Sequence, residues 1–115
     1  MSSEREELRL KDIIENIDRI DSHIGNLDFS AFANDPKTVD AVERCLQRLT
    51  EAVVKIGAER MAVVSPHTPA EAVRGLGNLL RHAYDEVDLA TIWTTVRESL
   101  PELRNDCLDA LRQHD

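Results

Sequence analysis

Six side chains able to handle a phosphate or a proton fall within a dozen positions of one another: Arg74, Asn78, Arg81, His82, Tyr84 and Asp85. If Pro69 opens a helix, Asn78 lies one turn below His82, about 40° around the axis. Arg74 lies one turn below Asn78, and Arg81 stands about 20° from Arg74 by the same geometry. A stripe of cation and amide then runs up to a histidine, with a tyrosine two residues later. Histidine titrates near neutrality, with an ordinary pKa of about 6.5, and can move protons. Arginine presents a fork that matches phosphate oxygens and stays charged as negative charge develops. The expectation from these residues is a phosphate-handling surface.

The elements that must position this stretch read as helices. Leu10, Ile13, Ile14, Ile17, Ile20 and Ile24 recur at three- and four-residue steps after Ser3-Glu4-Arg5-Glu6, a capping residue followed by carboxylates. Gly25-Asn26 gives a stop. Between those apolar positions Asp12, Glu15, Asp18, Arg19 and Asp21 form a solvated face or, alternatively, a surface for a basic partner. Leu27 to Asn34 is expected to be a short connection in which Phe29 and Phe32 plug the end of a bundle. Asp35-Pro36 supplies an N-cap and a first-turn proline. Val39, Val42, Leu46, Leu49, Val53 and Ile56 then mark a second long stripe, expected to run to about Ala62 with Gly57 inside it at a cost of about 1 kcal/mol. Arg44, Arg48 and Lys55 on its polar side read as ordinary surface charge or as an RNA-facing patch. Ser65 to Pro69 is a turn in which Thr68 caps the helix that follows. Asp88 is expected to cap a further helix with Leu89, Ile92, Trp93 and Val96 inward. Pro101 is expected to open a last one, with Leu103, Leu108 and Leu111 on one stripe and a disordered tail from Arg112. The reading is one all-α domain over residues 1–115, an up-and-down bundle of four to five helices.

Composition bounds the partners. Only 3% of residues are aromatic, and Leu, Val, Ala and Ile carry the apolar share, which suits packed helices. The formal net charge of −8 is opposite to that of a protein held to nucleic acid by its overall field, so any RNA contact needs a local basic patch. Cys45 and Cys107 show no CxxC spacing and read as reduced, inert thiols. No helix pairs histidine with carboxylates at ligand spacing, which argues against a metalloenzyme, and no cofactor is implied. The N-terminus lacks the pattern of a signal peptide and no apolar run is long enough to span a membrane, so a cytoplasmic chain is expected.

The stretch from Asn78 to Tyr84 resembles the signature of HepT-like ribonuclease toxins of the HEPN superfamily. That motif is an arginine and a polar residue, usually Asn, followed at short spacing by histidine, any residue and tyrosine. Asn78, His82 and Tyr84 match in register, while Gly77 stands where the arginine is usual. Residues 35–44, Val87-Asp88 with Ile92-Trp93, and Leu100-Pro101 with Leu103 also look like the family's pattern. In the turn at residues 65–69 only the two prolines match, and Ala70 occupies the family's tryptophan position. The resemblance implies a homodimer whose motif helices face each other across a cleft. It implies metal-independent RNA cleavage by the adjacent ribose 2′-oxygen, at a site where His82 is acid and base, either Arg81 or Arg74 is the fixed cation, and Asn78 orients a phosphate or the histidine, or else makes a polar bond between paired helices. It further implies neutralisation through AMPylation of Tyr84 by an MntA-like nucleotidyltransferase antitoxin, in a type VII toxin–antitoxin pair. Gly77 and the acidic balance keep a second expectation open: a catalytically inactive HEPN dimer serving as an interaction or nucleotide-binding subunit of a nucleotidyltransferase.

Overall fold

The computed structural model describes residues 3–68 and 86–114, and every regular element among them is helical. Helix α1 spans Ser3–Ile24 and buries Leu10, Ile13, Ile17, Ile20 and Ile24, with Ile14 half-buried at the edge of the stripe. It stops at Gly25, whose φ of +54° lies where a Cβ would be strained.

The connection that follows is itself a short helix, α2 (Phe29–Ala33), where the sequence reading expected an irregular link. Asp28 makes the difference: its side chain accepts from the Ala31 N–H at 2.8 Å and nucleates a turn. Phe32 is buried, and the rings of Phe29 and Phe32 sit 6.0 and 5.2 Å from that of Trp93. The expected plugging role of the two phenylalanines therefore stands, carried out from a helix.

Helix α3 (Pro36–Ile56) starts as expected, with Asp35 accepting from both the backbone N–H and the hydroxyl of Thr38. It ends earlier than expected. Gly57, at φ +94° and ψ 150°, closes α3 and precedes a separate helix, α4 (Ala58–Val64). A Cβ added at Gly57 would meet nothing within 4 Å, so backbone conformation and not close helix contact calls for glycine there.

Helix α5 (Glu86–Thr94) contains Asp88 as a helical residue with helix before it, so Asp88 is not the expected cap. The two expected helices are joined and not separated. A π-type turn at Thr95–Ser99 leads without a break into α6 (Leu100–His114), the Leu100 N–H donating to the Thr95 carbonyl. Pro101 explains the widened turn, since it brings no N–H and its ring crowds the carbonyl four residues back, that of Arg97. Ile92 and Val96 are buried as expected, but along α6 the buried positions are Leu100, Leu103, Cys107 and Ala110. Leu108 and Leu111 lie at the margin instead. The tail expected to be disordered is helical through His114.

Helix α1 is the centre of the packing, lying along α3 on one side and against α6 on the other. Across the first seam, low numbers in α1 meet high numbers beyond it: Glu6, only 5% exposed, takes both Nε and an Nη of Arg60 in α4, the latter at 3.2 Å. Across the second, Arg104 Nε reaches Asp18 at 2.7 Å. Both seams are therefore antiparallel, as an up-and-down bundle requires. Among the described residues no helix is long and apolar enough to cross a membrane.

Candidate functional site

Arg74, Asn78, Arg81, His82 and Tyr84, together with Gly77, lie in residues 69–85, outside the described residues. The expected helix opened by Pro69 lies outside them too. What the structure gives is the frame on either side. Upstream, α4 ends in a turn in which the Thr68 N–H donates to the Ser65 carbonyl at 3.1 Å. Ser65, 1% exposed, donates its hydroxyl to Asp106 Oδ2 of α6 at 2.7 Å, and Thr68 is buried beside it. A buried hydroxyl gains most from a charged acceptor, so this bond ties the point where the chain enters residue 69 to the opposite helix. Downstream, α5 is anchored by Ile92 and by Trp93, whose ring packs against both phenylalanines. The Arg97 guanidinium lies 5.1 Å over the Trp93 ring. Residues 68 and 92–93, on either side of residues 69–85, are thus each held by buried contacts.

A second arrangement of polar groups lies on the outer side of the α1–α3 seam, in a groove of about 240 Å³. Helix α1 contributes Arg9 and Arg19, each held by a carboxylate on its own helix: Arg9 by Asp12 at 3.3 Å and Arg19 by Glu15 at 2.8 Å. Helix α3 contributes Lys55, held by Glu51 at 3.3 Å, and Arg48, which has no hydrogen bond or carboxylate partner among the described residues. Ala52 is too short to fill the seam. Opposite it, Asn16, 6% exposed, donates from Nδ2 to the Asp12 carbonyl at 2.8 Å. That bond fixes the amide's orientation, because the reverse would set oxygen against oxygen. Asn16 Oδ1 is then a buried acceptor with no partner among the described residues.

The acidic row read as a solvated face is therefore largely paired: Asp12 and Glu15 within α1, and Asp18 across to Arg104. Two features escaped the sequence reading, and both had a signal. Glu6 lies four residues before Leu10, on the apolar stripe, where a carboxylate must find a cation; Arg60 answers it. Asn16 borders the same stripe at Ile13, Ile17 and Ile20.

Both thiols are free and buried in the folded chain. Cys107 is pushed up to about 12 by burial, with the neighbouring Asp106 adding to the shift, and burial likewise raises Cys45. Among the described residues no cluster of His, Cys, Asp or Glu could hold a metal ion.

Comparison with known proteins adds to this geometry. The family model described as "Ribonuclease HepT-like" matches residues 13–109. A protein of Methanocaldococcus jannaschii named "Putative RNase MJ1216" is 34% identical over 97 residues, covering 84% of this chain and 79% of that one. One from Thermococcus cleftensis named "Probable ribonuclease HepT" is 34% identical over 95 residues, covering 83% and 86%. No solved structure matches.

Proposed function

The chain belongs to the ribonuclease HepT-like family, and from that premise we propose that it is a metal-independent endoribonuclease toxin. The observation that carries this reading is the family match over residues 13–109, which takes in Asn78, His82 and Tyr84 in the motif's register. In the proposed reaction His82 takes the proton from a ribose 2′-hydroxyl as its oxygen attacks the adjacent phosphorus. The bond to the 5′-oxygen breaks, that oxygen receives the proton from the His82 imidazolium, and a 2′,3′-cyclic phosphate and a 5′-hydroxyl result. Arg81 or Arg74 faces the charge on the pentavalent phosphorus, in place of the arginine absent at Gly77. Asn78 orients the phosphate.

The proposal extends to regulation and assembly. Two chains form a homodimer with the motif segments across a cleft, so that one chain's arginine can complement the other's histidine. A nucleotidyltransferase antitoxin transfers AMP to Tyr84, which sets bulk and negative charge beside the phosphate site and excludes RNA by repulsion. The reading assigns a cytoplasmic, single-domain protein.

A second reading is favoured by two observations, Gly77 and the net charge of −8. In it the dimer has no catalysis and serves a nucleotidyltransferase as a binding subunit. The two readings separate in one experiment: purified protein in EDTA, incubated with tRNA and mRNA beside a His82→Ala variant. The toxin reading expects cleavage by the wild type alone, with 2′,3′-cyclic phosphate ends. No cleavage by a folded, dimeric wild type whose Tyr84 is unmodified by mass would leave the binding subunit as the function.

A further inference from the structure

A chain of net charge −8 that holds RNA must gather its cations locally. Among the described residues the α1–α3 groove does so, with four cations against three carboxylates in a space of about 240 Å³. Three of the cations are matched by the three carboxylates. Arg48, exposed on the rim, stays without a carboxylate among the described residues. Asn16 Oδ1, across the seam, is the one buried side-chain acceptor without a partner among the described residues. An unpaired guanidinium calls for an anion, and a buried amide oxygen calls for an O–H or N–H donor. One chemical group brings both at short range: a phosphorylated ribose, whose phosphate oxygens accept from arginine and whose hydroxyl donates.

We propose that the α1–α3 groove seats a phosphorylated ribose of the RNA substrate, its phosphate on Arg48 and its ribose hydroxyl donating to Asn16 Oδ1. The site is built from α1 and α3, with no residue of 69–85. It therefore acts as a strand-holding point in addition to the His82 segment, and it rests on the ribonuclease reading. Because Oδ1 is covered, the hydroxyl enters as an exposed side chain of the groove yields. The groove then distinguishes RNA from DNA at one nucleotide, since DNA lacks the 2′-hydroxyl. It also explains how an acidic chain holds a polyanion: the surplus cation faces a groove in which the neighbouring carboxylates are already neutralised.

The test is fluorescence anisotropy of a labelled single-stranded RNA 12-mer on the full chain at 4 °C, with cleavage followed by gel on the same samples. Arg48→Glu is expected to weaken RNA binding at least tenfold, and Arg48→Ala to lower the slope of log K against log salt by about 0.7. Asn16→Leu is expected to weaken RNA binding severalfold, leave binding of the same-sequence DNA unchanged, and so erase the preference between them. Circular dichroism checks that each variant is folded. An unlabelled ribonucleoside monophosphate that displaces the 12-mer from the wild type, but not from Asn16→Leu, identifies the same site with a free nucleotide as occupant. The proposal is overturned if folded Arg48→Glu and Asn16→Leu both bind RNA as the wild type does. It is also overturned if an acidic peptide displaces the RNA while 2′-deoxy substitution changes nothing, since the groove would then take a protein partner. A wild type that neither binds nor cleaves RNA overturns the ribonuclease reading as well; one that cleaves while both variants bind normally overturns only this inference.

Discussion

Replacing Asn16 by leucine should make the protein more stable, and the size of the gain can be worked out. Asn16 Oδ1 is buried without a partner among the described residues, and such a group costs about 1–3 kcal/mol in the folded state. Leucine removes that cost. It also forfeits the Nδ2 bond to the Asp12 carbonyl at 2.8 Å, worth about 0.5–1.5 kcal/mol net. The α-helix leaves that carbonyl its intrahelical partner, so no new orphan is created. Leucine is also the better helix former by a few tenths of a kcal/mol. The balance favours Asn16→Leu by about 1–2 kcal/mol. At roughly 2.1 cal/mol/K per residue, the 115 residues give an unfolding entropy near 0.24 kcal/mol/K, so each kcal/mol moves Tm by about 4 °C. A rise in Tm of about 4–8 °C is expected. Thermal and urea unfolding followed at 222 nm would measure it, with the urea slope unchanged between the two proteins. A Tm equal to or below that of the wild type would refute the reasoning, because it would mean that Oδ1 is satisfied in solution. Together with a loss of RNA preference, a gain in stability would mark Asn16 as a residue kept at the expense of the fold.

Other perturbations test other parts of the account. Gly57→Ala should destabilise by about 1–3 kcal/mol through its positive φ alone, although a Cβ there has free space; an unchanged urea midpoint would show that the junction relaxes. Asp106→Ala leaves the buried Ser65 hydroxyl without its acceptor and should cost about 1–3 kcal/mol, and Ser65→Ala in the same background should restore part of the loss. Asp35 titrates below its ordinary 3.8 because Thr38 donates to it from hydroxyl and backbone. Its contribution is therefore present above pH 3.8 and lost as pH falls through the lower, folded value, so acid unfolding of Asp35→Ala should lack that component. Cys107, raised from 9.0 to about 12, stays protonated in the folded chain while the unfolded thiol ionises. Stability should then fall between pH 9 and about 12, less so in Cys107→Ala, and iodoacetamide at pH 8 should label the thiol only after unfolding.

Much of this protein is written in its local pattern. The apolar steps from Leu10 to Ile24 and from Val39 to Ile56 determine two amphipathic helices, because a side chain recurs on one face every three or four residues. Asp35-Pro36 and Gly25 set boundaries by their own backbone chemistry. The motif register of Asn78, His82 and Tyr84, and with it the family, is likewise a property of the chain as read in order. Tertiary structure decided what depends on groups far apart in sequence. Phe29 and Phe32 form part of a helix that settles on Trp93, more than sixty residues on. Along α6, which stripe is buried is decided by the face met by α1. There Cys107 and Ala110 are covered, and Leu108 and Leu111 are left half-buried at the margin. The pairing of Glu6 with Arg60, of Ser65 with Asp106, and of Asp18 with Arg104 needs helices brought side by side. So does the groove in which Asn16 and Arg48 stand across from each other. Periodicity tells which face a residue takes, but a charge or an amide finds its partner only when two faces meet, and that is a property of packing.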